Sequence, residues 1–146
     1  MTIDQTRLTP IAQALCGTAI DQSVLREAAL VLEQGDVEGL LDALLRSFTE
    51  SRRAQTLDEA IEGVHDCLER LMPHSAKIGG LLMAALYWRA GNQFMHHICD
   101  SIELWFEATK DQELHLALSR HALNEVDHSK QAKYRLWAKL TMPVVA

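Results

Sequence analysis

A chain of 146 residues has the length of one domain and can bury roughly two-thirds of its unfolded surface in one core. Its apolar fraction of 48% and charged fraction of 23% are ordinary for a globular protein, and no linker or low-complexity tract divides residues 1–146. The formal charge of −6 repels phosphate backbones, so no nucleic-acid partner is expected.

Helix start and stop signals divide the chain, and no stretch shows sustained alternation with β-branched residues, so an all-α fold is predicted. The expected helix caps are Thr9 before Pro10, Asp36, Thr56, Ser75 and either Thr109 or Asp111. The predicted helices are 10–17, 22–34, 37–50, 57–72, 76–109 and 112–139. Together they predict an antiparallel bundle of about five to seven helices that ends in a long helical hairpin.

The N-terminus lacks a basic cluster that leads into a long apolar run, so a cytoplasmic location is expected. The most apolar stretch, residues 78–88, is too short to cross about 30 Å of hydrocarbon and is expected to be a buried helix. Gly91 is expected either to kink or to break the helix 76–109. Cys16, Cys67 and Cys99 form no C-x-x-C pair and are predicted to be reduced core residues.

On the last predicted helix, Glu125 falls within an apolar stripe. The stripe consists of Leu114, Leu118, Ala122, Ala132, Leu136 and Leu140. A carboxylate there is costly unless it is paired, hydrogen-bonded or bound to a metal. His128 lies three residues on and His121 four residues back, within side-chain reach. Glu125-Val-Asp-His128 is therefore predicted to be an inward-facing Glu-x-x-His pair, the spacing that di-metal helix bundles use.

The preceding helix is expected to supply a further ligand. An antiparallel turn between the last two predicted helices brings His96 and His97 level with Glu125. His97 falls in an apolar stripe, whereas His96 points toward the polar side, so His97 is the better candidate. The predicted metal ligands are His97, Glu125 and His128, with His121 as a further or outer ligand. Imidazole and carboxylate ligands suit iron, manganese or zinc.

Residues 111–128, DQELHLALSRHALNEVDH, resemble the second half of a ferritin-like helical hairpin. Rubrerythrins, encapsulated ferritins and di-iron tRNA hydroxylases carry similar stretches, and the resemblance covers about residues 93–135. It implies iron handling or oxygen-dependent oxidase or hydroxylase chemistry. In that family the helix before the turn supplies a metal-bridging glutamate, where this chain has His97.

A second Glu-x-x-His occurs at Glu62-Gly-Val-His65, but Glu62 points away from the apolar face of its helix, so this match is interpreted as accidental. A metal-free alternative also exists for the first motif. A buried hydrogen bond between glutamate and histidine explains Glu125, His97 and His128 equally well.

A helical interaction module is the competing expectation. Helices of roughly 14 to 16 residues are typical of stacked hairpins and small regulatory bundles, whereas ferritin helices are nearer double that length. The partner is then a second copy of the chain or another helical protein, and a dimer is also a route to a complete di-metal site. Motifs for nucleotide, hydride and serine-hydrolase chemistry do not occur, so the sequence predicts no particular reaction.

Overall fold

The computed structural model describes residues 5–17 and 20–143. Within these ranges the chain forms eight α-helices and no strand, so the all-α prediction is confirmed. The helices are α1 (Gln5–Leu15), α2 (Gln22–Glu33), α3 (Val37–Glu50), α4 (Leu57–Leu71), α5 (Ala76–Tyr87), α6 (Asn92–Thr109), α7 (Gln112–Asn124) and α8 (His128–Thr141). The number exceeds the five to seven expected because two of the predicted long helices are each divided in two. None of the described helices is long and apolar enough to cross a membrane.

Short polar side chains begin four of these helices, as their positions in the sequence predict. Asp36, Thr56, Ser75 and Asp111 each accept a hydrogen bond from the backbone N–H three residues further on. Each bond satisfies one of the N–H groups that the first turn of a helix leaves without a partner. The choice left open between Thr109 and Asp111 is therefore resolved in favour of Asp111.

The first helix differs from the prediction of 10–17. It begins at Gln5 and ends at Leu15, so Pro10 lies inside it rather than at its first position. Leu8 is fully buried and belongs to the same apolar stripe as the buried Ile11 and Leu15. Proline deprives the helix of one hydrogen bond near its start, and burial of this stripe outweighs that loss.

Helix α5 is the central element. Every residue from Ile78 to Leu86 is buried, which confirms the buried helix expected from this apolar stretch. The helix contacts α2, α3, α4, α6 and α7. A Cβ at Gly80 would lie 2.6 Å from the Leu114 side chain, so the glycine allows α7 to approach α5 closely. Helix α5 therefore holds the N-terminal and C-terminal helices in one core.

The predicted helix 76–109 breaks between Tyr87 and Asn92, which resolves the ambiguity at Gly91. Gly91 is the N-cap of α6 and has an extended backbone. In the connection, Arg89 donates to Asp42 over 2.7 Å and also pairs with Glu38. These two ion pairs attach the end of α5 to α3.

The predicted continuous helix 112–139 is wrong, because the chain leaves helical geometry after Asn124. Helix α8 starts at His128, and Asp127 caps it by accepting hydrogen bonds from two backbone N–H groups, at 2.9 and 3.1 Å. The chain then folds back on itself. The Gln131 amide donates to the Ala122 carbonyl over 3.0 Å, so α7 and α8 pack as an antiparallel pair.

Aromatic side chains join α5 to α8. Trp137 is fully buried, and its ring lies 5.3 Å from that of Tyr87 and 5.7 Å from that of Tyr134. Trp88 lies at the edge of the same group, 6.5 Å from Tyr134. Edge-to-face geometry predominates, as is usual for packed aromatic rings. This aromatic cluster fixes one face of α8 against the core.

Candidate functional site

Two of the four predicted metal ligands lie at the break between α7 and α8. Glu125 has an extended backbone, is only partly buried, and accepts a hydrogen bond from the Asp127 N–H over 3.2 Å. His128 is exposed at the first position of α8. The inference that Glu125 projects into the apolar core is therefore wrong, because the angular spacing of a helix does not apply beyond Asn124.

The other two predicted ligands occupy separate surroundings. His121 packs its ring edge-to-face on Tyr134, with 4.4 Å between ring centres. Burial lowers the pKa of His121, although the nearby charges of Glu125 and Glu38 oppose this effect. His97 is exposed on α6, so its expected place in an apolar stripe is wrong, because the predicted helix that carried the stripe is interrupted between Tyr87 and Asn92.

The four residues do not form a group of adjacent ligand atoms. Within the described part of the chain, only one group of three or more His, Cys, Asp or Glu side chains has all its ligand atoms within 4.8 Å of one another, and it contains none of the four. It consists of His65, Asp66 and Glu69.

Cap chemistry at the α7–α8 break provides a stability prediction. Asp127→Ala is expected to lower the free energy of unfolding by about 1 kcal/mol, because two N–H groups of α8 lose their acceptor. Glu125→Ala is the control and is expected to cost less than about 0.5 kcal/mol, because it removes one solvent-exposed hydrogen bond. Urea unfolding of both variants measures the difference. A larger loss for Glu125→Ala would mean that Glu125 is a core residue after all.

The His65 group lies between α4 and α6. His65 is only 2% exposed, and its Nε2 lies 3.1 Å from the Ser101 hydroxyl. Its Nδ1 lies 3.6 Å from the Asp66 carboxylate and 3.8 Å from the Glu69 carboxylate. One ring nitrogen is thus held by α6, while the other faces two anionic groups at the surface.

Aromatic rings surround this histidine. The His65 ring is stacked on Trp105, with 5.7 Å between centres, and lies edge-on to Phe94 at 5.6 Å. The His97 ring is 4.9 Å away. Because rings from α6 enclose it, His65 has a fixed orientation. Of the predicted ligands, His97 is therefore the one next to a buried histidine.

His65 was not among the predicted ligands, although the sequence contains a signal for its burial. Glu62 is exposed, as expected for a residue that points away from the apolar face of α4. His65 follows the buried Ile61 by four residues, so it continues the same apolar stripe, and it is itself buried. The motif Glu62-x-x-His65 thus does not act as a pair.

A cavity of about 670 Å³ opens beside this group, where the ends of α4 and α6 meet the starts of α5 and α7. Glu69 and Trp105 belong to its wall. Asp111 and Glu113 add two carboxylates, and the ammonium group of Lys77 lies 3.5 Å from Glu33. The excess of negative charge favours cations in this cavity.

A second concave surface lies between α7 and α8 and is called the α7–α8 groove. It has a volume of about 290 Å³. Its lining consists of His115, Ser119, Ala122, Leu123, Arg135, Ala138 and Lys139. The His115 Nδ1–H donates to the Ala138 carbonyl over 2.6 Å and ties the two helices together. Among the described residues, no acidic side chain lines this groove.

Large apolar side chains stand exposed along the same part of α7. Leu123, in the groove wall, is 74% exposed, and Leu116, two turns earlier on the same face, is 51% exposed. Val126, in the connection to α8, is 92% exposed. Leu116 and Leu123 therefore form an exposed apolar surface on one face of α7, and Val126 extends it into the connection to α8.

Comparison with known proteins does not assign the chain to a family. No family model matches it, and the searches of curated proteins and of solved structures give no match either.

Proposed function

We propose that the protein is a non-catalytic helical interaction module, located in the cytoplasm, that binds an amphipathic helix of another protein in the α7–α8 groove. The observation that carries this proposal is an apolar groove with an exposed leucine in its wall and two cations at its rim. Helix-in-groove recognition requires these features: an apolar trough for the buried face of the partner helix and polar groups for its flanks.

The apolar face of the partner follows from the spacing on α7. Leu116 and Leu123 are seven residues apart, which corresponds to about 10.5 Å along a helix axis. A partner helix with apolar residues at positions i and i+7, and at i+3 or i+4 between them, can cover both leucines. Burial of the Leu123 side chain, now 74% exposed, contributes to the free energy of binding.

The expected charge of the partner follows from the two cations at the rim of the α7–α8 groove. Arg135 and Lys139 are exposed, and they stand out on a chain with a net charge of −6. Aspartate or glutamate on the flank of the partner helix can pair with both cations. Such pairs at an interface rim mainly increase the association rate and give binding a salt dependence.

Helix lengths support the same proposal. The described helices contain between 11 and 18 residues. This range fits stacked helical hairpins and small regulatory bundles better than a ferritin-like bundle, whose helices are nearer double that length.

Site-specific photo-crosslinking tests whether the partner binds in the α7–α8 groove. A photoreactive phenylalanine derivative replaces Leu123 in cells that naturally contain the protein, and the adduct is identified by mass spectrometry. Leu104 on α6 is the matched control, because it is 68% exposed and lies outside the groove. We expect a protein adduct at position 123 and none at position 104. The cross-linked segment should be an amphipathic helix with acidic flanks.

Three outcomes would contradict the proposal. The first is an adduct that forms at position 104 as well as at position 123. The second is a cross-linked segment that is basic or non-helical. The third is an adduct with a second copy of this chain. The last outcome would replace the heterologous partner by a homodimer.

Metal binding is the second candidate function, and the His65 group supports it. A histidine that ligates a metal usually has its other ring nitrogen held by a hydrogen bond, and Ser101 occupies that position beside His65. Nδ1 together with Asp66 and Glu69 offers one nitrogen and two carboxylates. This ligand set suits iron, manganese or zinc, and the acidic cavity beside Glu69 provides an entry path.

Glu69→Gln is expected to weaken the binding of Zn²⁺ or Mn²⁺ at least about tenfold, because a neutral amide is a poorer ligand than a carboxylate. Glu62→Gln is the control, since Glu62 is also exposed on α4 but lies outside the His65 group. Isothermal titration calorimetry of chelator-treated protein measures both affinities. Equal affinities for the two variants, or no binding heat in wild type, would exclude metal binding by the His65 group.

A further inference from the structure

Two cysteines that lie far apart in the sequence meet in the core. The sulfur of Cys67 on α4 is 3.3 Å from the sulfur of Cys16, which follows the last residue of α1, although 51 positions separate them. The Cys67 sulfur also lies 3.3 Å from the Leu15 carbonyl oxygen. Both cysteines are free thiols and buried, with exposed fractions of 6% for Cys16 and 1% for Cys67.

We propose that Cys16 and Cys67 are a redox modification site, at which a peroxide converts the two thiols into a reversible disulfide that joins α1 to α4 in the folded protein. This site is independent of the α7–α8 groove. The expectation that the cysteines are core residues is confirmed for Cys16 and Cys67 and is wrong for Cys99, which is only partly buried. The proposal adds an oxidised state of the same fold.

The geometry requires only a small movement. A disulfide bond is about 2.05 Å long, so the two sulfurs must approach each other by roughly 1.2 Å. Cys16 lies just beyond the end of α1, where its N–H still donates to the Ala12 carbonyl over 3.2 Å, and Gly17 follows it. Rotation of the Cys16 side chain, with a small backbone adjustment, can close the distance while α4 stays in place.

A hydrogen bond links the ionisation of the two thiols. The hydrogen bond with Cys16 lowers the pKa of Cys67 against the opposing effect of burial, and the positive charges of Arg70 and Arg53 lower it further. The same hydrogen bond, together with burial, raises the pKa of Cys16. Once one of the two sulfurs is ionised, the other is a thiol placed to resolve it, so either cysteine can react first.

The reaction balances with one peroxide. The thiolate of one cysteine attacks one oxygen of hydrogen peroxide and breaks the O–O bond, which leaves a sulfenic acid on that cysteine and releases hydroxide. The hydroxide takes up the proton that this thiol lost on ionisation and forms water. The sulfur of the other cysteine then attacks the sulfenic sulfur, the S–O bond breaks, and the hydroxyl group leaves as a second water with the proton of the attacking thiol. Two thiols are oxidised, one peroxide is reduced, and a thiol reductant reverses the bond.

Cys99 provides the internal control. It lies on α6, and its sulfur is 3.7 Å from the Glu103 carboxylate rather than from another thiol. Burial raises the pKa of Cys99, with the Glu103 charge adding to the effect, so its thiolate is disfavoured. Cys99 therefore has neither a partner thiol nor an activating cation strong enough to overcome these effects.

The experiment treats the folded, full-length protein with hydrogen peroxide and measures its intact mass and tryptic peptides. Wild type and Cys99→Ser are both expected to lose two hydrogens and to yield a peptide pair joined through Cys16 and Cys67. Dithiothreitol should restore the mass. The melting temperature of the oxidised form should rise by about 5 to 15 °C, because the bond constrains the unfolded chain.

Several results would overturn the proposal: three free thiols after peroxide treatment of the folded protein, a disulfide that contains Cys99, a Cys16–Cys67 bond that forms only in urea, or a fall in melting temperature on oxidation. Each can be observed in wild type, so the test does not depend on whether a cysteine variant folds. Cys16→Ser and Cys67→Ser, where they fold, should lose the cross-link while Cys99→Ser retains it.

Discussion

Replacing Trp137 by alanine is expected to lower the free energy of unfolding by about 3 to 5 kcal/mol, the range for deletion of a large buried aromatic side chain. Trp137 is fully buried and packs against Tyr87 and Tyr134. Its removal leaves a cavity between α5 and α8, and surrounding rings fill such a space only in part.

The neighbouring residue provides a matched control. Leu136 lies on the same helix but is 47% exposed, so Leu136→Ala is expected to cost less than about 1 kcal/mol. Urea unfolding followed by far-UV circular dichroism measures both variants. Equal losses would mean that α8 does not pack through its Trp137 face, and the α7–α8 groove would then lack a fixed wall.

Helix starts were predictable because their signals are local. A side chain such as Asp36 or Thr56 bonds to a backbone N–H three residues away, so the residue type and the next few positions contain all the needed information. Pro10 does not mark the start of α1, because a local signal can be outweighed by tertiary packing. Its local preference for a first helical position was weaker than the burial of Leu8, which depends on the rest of the fold.

The break after Asn124 was not predicted, although Asp127 is a strong capping residue. Apolar residues continue at helical spacing on both sides of it, from Leu118 to Ala132, so the pattern indicated one long helix. A cap inside such a pattern can begin a new helix only if the two halves pack on each other. The hydrogen bond from Gln131 to Ala122 belongs to that packing and is not visible in the sequence.

The choice of Glu125 and His128 as metal ligands depended on the assumption that residues 112–139 form one continuous helix. Once the helix is divided, Glu125 is no longer on an apolar stripe, and His128 begins a different helix. His65 is identified as a candidate ligand only by its contacts with Ser101 and Trp105 on α6. Contacts between helices that are far apart in the chain cannot be read from the periodicity of either helix.

The α7–α8 groove could not be predicted from the sequence either, because it depends on how two helices pack. Leu123 looks like any apolar residue of an amphipathic helix, and only the position of α8 shows that it is exposed beside Arg135 and Lys139. The sequence therefore predicted an interaction module but not the part of the chain to which its partner binds.

Leu123→Asp is expected to reduce the affinity for the partner helix at least about tenfold, because it removes apolar area from the groove and places a carboxylate opposite an acidic flank. Leu104→Asp is the matched control, with a similar exposure on α6 and the same change of charge. Both positions are exposed, so neither variant should disturb the core, and circular dichroism can verify this.

The most direct measurement is the dissociation constant of the cross-linked partner segment, obtained by isothermal titration calorimetry with wild type, Leu123→Asp and Leu104→Asp. The proposal predicts that the constant for Leu123→Asp is at least about ten times that of wild type, whereas Leu104→Asp stays within about twofold. It also predicts weaker binding to wild type at higher salt, because Arg135 and Lys139 contribute through charge. Equal constants for wild type and Leu123→Asp would contradict the α7–α8 groove as the docking surface.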